Sequence, residues 1–173
     1  DGVMVMRWLA LEMQDQTPDL IRAMATSQST AMLKDAASSL ASMVPQNLAI
    51  ADVDGGYGWL VAGSIPARRG FTGRVIYPGG DPAFGWEGVI EDRPQAFQPD
   101  QGFVVTANSK PDHPSADRIA TAFLPPHRYD RITTVLRALP AATPADMASL
   151  HLDVQDGAAM RHLPWLLDGA ITD

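Results

Sequence analysis

Cysteine is absent from all 173 residues, and that absence excludes disulfides, thiolate catalysis and Cys-ligated zinc together. It is compatible with an exported protein. No run of about 18 apolar residues occurs, so no segment reads as a membrane-spanning helix. Positive charge is scarce: 13 Lys and Arg against 20 Asp and Glu leave a net charge of -7 and a pI near 4.9. A nucleic-acid groove wants a basic face, so that partner class is excluded. Neither a Gly-x-Ser-x-Gly elbow nor a phosphate loop ending Gly-Lys-Ser/Thr is present. Gly55-Gly56-Tyr57-Gly58 lacks dinucleotide-loop spacing and the helix that should follow. The four histidines, His113, His127, His151 and His162, have no metal-ligand spacing and read as surface or polar-network imidazoles. An initiator methionine is missing too. The chain opens Asp1-Gly2, as a piece cut from a longer polypeptide would, so the lack of a signal peptide says nothing about the parent's address.

What remains is ordinary for a soluble globular protein: 46% hydrophobic and 19% charged residues, in a length that fits one modest domain with a real core. Val3–Glu12 is β-favouring. Thr17-Pro18-Asp19 is a helix start, with Thr17 as N-cap, proline at the first helical position and an acid in the first turn. Leu20, Ile21, Met24, Met32, Leu33 and Leu40 recur near helical spacing, so 18–42 reads as one or two helices. The methionines at such spacings read as core-fillers. Leu48–Val53 and Tyr57–Ala62 flank Asp54-Gly55-Gly56, a hairpin signal. Asp52 and Asp54 read as turn-formers that accept from local backbone amides. Residues 63–101 are rich in Gly and Pro with little periodicity, a long irregular crossing. Gly102–Thr106 reads as a strand running into Asn108, which Pro111 and Pro114 hold out of any helix. His127–Leu139 places Tyr129, Ile132, Val135/Leu136 and Leu139 on one face. Thr143-Pro144-Ala145-Asp146 caps another helix in the manner of a capping box. Strands, a loop, then helices indicate an α+β fold.

Several pieces fall in one order along the chain: Arg7-Trp8; Pro45-Gln46-Asn47 with Ala51-Asp52 and Gly55; Gly63-Ser64-Ile65-Pro66-Ala67-Arg68; Gly85-Trp86-Glu87-Gly88; Asn108-Ser109-Lys110-Pro111; Tyr129-Asp130-Arg131-Ile132; Asp153; and Leu163-Pro164. Together they resemble the penicillin amidase family, N-terminal nucleophile hydrolases that cleave linear amides. Gly56 stands where that family usually has Asn, and His151 where Gln is common. The resemblance implies part of an αββα sandwich, a segment of the large subunit's domain spanning 1–173.

In such enzymes the free α-amine of an N-terminal Ser activates its own hydroxyl, which suits an amine with a pKa of about 7.7–8.0. Nothing at the start of this chain supplies that nucleophile, so the 173 residues alone are expected to be inactive. By resemblance Asn108 is the side-chain donor to the oxyanion. Arg131 is the site arginine, whose guanidinium would favour a neutral amine by like-charge repulsion; its plain alternative is a helix-surface ion pair with Asp130. Asp117 corresponds to a ligand of a structural calcium, joined by the carbonyl of Gly73, half a site at most. Gln46 falls where the acyl pocket is lined, and a polar amide there argues against a purely aromatic acyl preference. The implied partners are an N-acyl amide substrate and the small subunit of the same precursor, and the implied address is periplasmic or secreted. Strand edges lacking the rest of the sheet are expected to drive self-association. The alternatives are an acyl-homoserine lactone acylase of the same family, or a non-catalytic interaction domain on this scaffold. A Ser, Thr or Cys at the parent's processing site separates an enzyme from the latter.

Overall fold

A computed structural model describes residues 2–12 and 14–170 and shows an α+β fold. Its contacts group into two compact units, Asp1–Val104 with Pro111–Ala122, and Val105–Lys110 with Phe123–Asp173.

The first unit is built on helices α1 (Thr17–Thr26) and α2 (Thr30–Ser39) and strands β1 (Gln46–Ala51), β2 (Tyr57–Ala62), β3 (Pro66–Arg69), β4 (Gly85–Val89) and β5 (Gln95–Phe97). A short α3 (Ala116–Ile119) follows later in the chain. Strands β1, β2 and β5 form one antiparallel sheet in that order, and β3 pairs with β4 in a second. Along β2 burial alternates, with Gly58, Leu60 and Ala62 inward, the period-two signature of a sheet covered on one face. The cover is the α1–α2 pair: Leu20, Ala37, Leu60 and Ala62 form a core, against which Leu40, Leu48, Ile50 and Phe97 pack. A second cluster of Ile65, Ala67 and Ile90 lies under β3.

The hairpin turn works as its residues dictate. Asp52 accepts from the backbone N–H of Asp54 (3.1 Å) and Gly56 (2.7 Å), and its other oxygen takes Thr30 N–H (2.9 Å) and hydroxyl (3.0 Å). These bonds, that from Thr30 N–H foremost, hold the Asp52 carboxyl below its ordinary value. Position 56 has no room for a side chain, because a Cβ there would stand 2.5 Å from both Asp52 Oδ2 and Thr30 Oγ1. That accounts for glycine where the resemblance leads one to expect Asn. At Gly58 a Cβ would meet Phe97 at 2.6 Å and the Ala96 carbonyl at 2.7 Å, so this glycine admits β5 to the sheet.

Five readings of the sequence are corrected here. Gly102–Thr106 is not a strand: Gly102 N–H bonds the Pro99 carbonyl and the Phe103 carbonyl accepts from Gln101, but no strand among the described residues pairs alongside to form a ladder. Residues 63–101 are not an irregular crossing but contain β3, β4 and β5, too short and Gly-interrupted to show periodicity. Val3–Glu12 forms no strand; it ends in a 3-10 turn at Leu9–Leu11, with Arg7 paired to Glu12 (2.7 Å) and stacked 4.4 Å over Trp86. Thr17 lies inside α1, whose N-cap is Gln16, and its hydroxyl bonds Asp15 at 2.6 Å. Met24 on α1 and Met32 on α2 are exposed and do not fill the core, because the buried positions of those helices are taken by Leu20, Leu33 and Ala37.

The second unit holds α4 (His127–Ala138), α5 (Pro144–His151) and α6 (Gly157–Ala170), with α4 against α6. The expected capping box is present. Thr143 Oγ1 accepts from Asp146 N–H (3.3 Å) while Asp146 accepts from Thr143 N–H (2.8 Å) and hydroxyl (2.6 Å). The Asp156 carboxylate accepts from Ala158 and Ala159 N–H at the first turn of α6, where a negative charge complements the helix end. Pro164 lies inside α6, and Met160, Leu163, Trp165, Leu166 and Leu167 on it are exposed.

Candidate functional site

The second unit brings Asn108, Arg128, Arg131 and Asp153 onto and beside one helix. Asn108 has φ +60, a left-handed conformation that Asn tolerates better than most residues. Its carbonyl accepts from Leu124 N–H at 2.9 Å. Its side-chain Oδ1 accepts from Arg128 Nη2 at 2.7 Å, and the same nitrogen donates to the Ala107 carbonyl at 3.0 Å. A guanidinium has no acceptor, so the amide atom facing it must be oxygen. The donor nitrogen of Asn108 is therefore turned away from Arg128. That nitrogen carries two N–H donors.

Arg131 lies one turn further along α4, and its partner is Asp153, not Asp130. Nε and Nη2 reach Asp153 Oδ2 at 3.0 and 2.6 Å. The Asp153 carboxyl is held below its ordinary value first by Arg131 and then by the N–H of Gln155. The pair offsets much of the Arg131 charge, so its reach toward an amine is that of a dipole more than of a free cation. Two arginines at i and i+3 thus tie α4 to the segment before it and to the loop after α5.

The other residues singled out from the sequence lie in the first unit. Gln46 is the exposed first residue of β1, opposite Ala62. Gly73 has φ +86, and a Cβ there would be 3.2 Å from Arg68 Nε. Asp117 is in the first turn of α3. Calcium takes about six to eight oxygens, and a cation is disfavoured beside a guanidinium such as Arg68. Among the described residues no group of three or more His, Cys, Asp or Glu could hold a metal ion. Among the described residues, Asp117 and the Gly73 carbonyl supply half a calcium site at most, and any such ion would draw its remaining ligands from elsewhere. A cavity of about 330 Å³ between the α1–α2 turn and the β1–β2 hairpin, walled by Met24, Leu33, Ile50 and Asp52, includes none of these residues.

Sequence reasoning missed Arg128. The only signal available is its place three residues before Arg131, on the same helical face; nothing local links it to Asn108, 20 positions away.

The family model described as penicillin amidase matches residues 1–173. Among curated proteins, the chain is 34% identical over 144 residues to a penicillin acylase 2 proenzyme of Pseudomonas sp. (strain SE83), covering 80% of this chain and 18% of that protein. It is 30% identical over 98 residues to the acyl-homoserine lactone acylase QuiP of Pseudomonas fluorescens, covering 56% of this chain and 12% of the relative. The corresponding protein of Pseudomonas aeruginosa is 27% identical over 113 residues, 64% of this chain and 13% of its own length. A solved thermostable penicillin G acylase from Alcaligenes faecalis shares the fold with a TM-score of 0.60 at 22% identity, over 78% of this chain and 24% of that one. The chain thus spans less than a quarter of each of these proteins.

Proposed function

The chain belongs to the penicillin amidase family, and from that premise we propose that the full-length protein hydrolyses N-acyl amides through an acyl-enzyme. In this reading, a hydroxyl nucleophile outside these 173 residues adds to the amide carbonyl, and its own α-amine takes the proton. The carbonyl oxygen becomes an oxyanion, and Asn108 Nδ2 donates to it. Collapse of the adduct breaks the C–N bond as the proton passes to the departing amine, and water then releases the acyl group. Arg131 serves chiefly to hold α4 through Asp153. No step is assigned to calcium. The small subunit of the same precursor is the proposed partner, and the periplasm or the cell exterior the proposed address.

The observation that carries this reading is the Asn108 amide, held at φ +60 with its oxygen on Arg128 and its nitrogen turned away. The names of the curated relatives, a penicillin acylase and acyl-homoserine lactone acylases, support an amide substrate. An acyl-homoserine lactone is the second candidate substrate, favoured by the two QuiP relatives.

The test is to incubate processed full-length protein with a phenylacetyl anilide and, separately, with long-chain acyl-homoserine lactones. Release of amine from either supports the proposal and identifies the acyl preference. Correctly processed protein inert toward both would overturn it and favour an interaction module. The 173 residues alone should release nothing from either substrate. Turnover by that chain, abolished by changing a residue within it, would contradict the proposed division of the site.

A further inference from the structure

The geometry points to Arg128 as a positioning residue that sets the orientation and donor strength of the Asn108 amide. The inference rests on the reading of Asn108 as an oxyanion donor and extends it to a side chain that does not itself meet substrate. An asparagine amide has two ends of nearly equal shape, and only its hydrogen-bond partners decide which end faces a site. Here the decision is made by a group that can only donate. Arg128 Nη2 lies 2.7 Å from Asn108 Oδ1 and 3.0 Å from the carbonyl of Ala107, a buried residue just before it. With Leu124 N–H bonded to the Asn108 carbonyl at 2.9 Å, residues 107–108 are held at three acceptor atoms. Reversing the amide would set NH₂ against guanidinium, donor against donor. A cation on Oδ1 also draws electron density from the amide, so Nδ2–H becomes a stronger donor toward an oxyanion. Arg131, three residues on, cannot substitute for Arg128, because its guanidinium is committed to Asp153.

The test is a double-mutant cycle in the processed full-length protein, with kcat and KM measured for an amide substrate that it cleaves. Arg128→Met keeps the apolar stem and removes the donors. Asn108→Gly removes the amide while tolerating positive φ. Arg128→Met should lower kcat about tenfold with KM changed less than about twofold. Arg128→Lys, which can still donate to Oδ1, should recover part of that loss. In the Asn108→Gly background Arg128→Met should cost nothing further, since the group it acts through is gone. An equal loss in both backgrounds would overturn the inference, and so would wild-type kcat in Arg128→Met beside a crippled Asn108→Gly. Normal kcat in Asn108→Gly is a separate outcome: it defeats the oxyanion reading itself and takes this inference with it. If Arg128→Met does not fold, Arg128→Gln carries the same comparison, because it keeps one amide donor and loses the charge. Its kcat loss should likewise vanish in the Asn108→Gly background, and persistence there would be decisive against the role.

Discussion

Asn108→Asp separates a donor from a scaffold at a single position. Aspartate has nearly the shape of asparagine, tolerates the left-handed backbone at φ +60, and still offers an oxygen to Arg128 at the 2.7 Å contact. What it loses is the NH₂ group, replaced by a second oxygen. If Nδ2 meets the oxyanion, one preorganised donor disappears. Such a loss costs about 10² to 10³ in kcat, or about 2.7–4 kcal/mol. A carboxylate facing a developing negative charge adds repulsion, so the fall should lie at or beyond the upper end. KM should change much less, because the interaction matters once charge has formed. Stability should barely move, since the backbone and the Arg128 contact both survive. Asn108→Ala is a poorer probe: it removes the amide but also places an alanine at positive φ, at roughly 1–2 kcal/mol. The assay is turnover number and melting temperature on one preparation of processed full-length protein. Near-normal turnover in Asn108→Asp would refute the donor role, and a large melting shift alongside it would reassign Asn108 to the loop's architecture.

Other expectations concern the scaffold and the chain as a piece. Leu60→Ala deletes three buried carbons, about 2.4 kcal/mol of transfer free energy at about 0.8 per methylene, plus a cavity term, so about 3–4 kcal/mol in all. Hydrogen exchange of the β2 amides in the full-length protein should report it, and a change under about 1 kcal/mol would mean that α1 and α2 do not form this sheet's core. Asp153 has its carboxyl lowered in the folded state by Arg131, so its contribution is complete above the ordinary carboxylate range and is lost as pH falls through the folded value. Arg131→Met should flatten the decline in melting temperature between about pH 5 and the acid limit, and unchanged slopes would dissolve the link. The isolated 173-residue chain exposes Val3, Met4, Leu152, Val154 and Trp165 and should self-associate; a monodisperse monomer by light scattering across a wide concentration range would contradict this.

Legibility in the sequence followed locality. The Asp54-Gly55-Gly56 turn and the Thr143/Asp146 box were readable because both are satisfied within a few residues. Short strands were not. β5 has three residues and owes its place to Gly58, whose missing Cβ leaves room for Phe97, a fact of contact and not of pattern. The strand expected at 102–106 failed for the converse reason: propensity was present, but no described partner lies beside it. Asn108 stands out in the sequence through its motif and its prolines. Arg128 was not, because a 20-residue separation hides a hydrogen bond from any local rule.

The partition of the chain into units governs how it can be taken apart. The backbone passes from one unit to the other after Val104, returns at Pro111 and leaves again after Ala122. No single cut therefore releases either unit whole. A protein trimmed to its first 104 residues forfeits α3, and one begun at Phe123 forfeits Ala107 and Asn108, the very acceptors that engage Arg128. Deletion mapping with nested truncations would thus score the helical region as dispensable or essential according to which crossing it severed. An internal deletion that begins the chain at Val105 and joins Lys110 directly to Phe123 keeps those contacts together and is the dissection this topology permits.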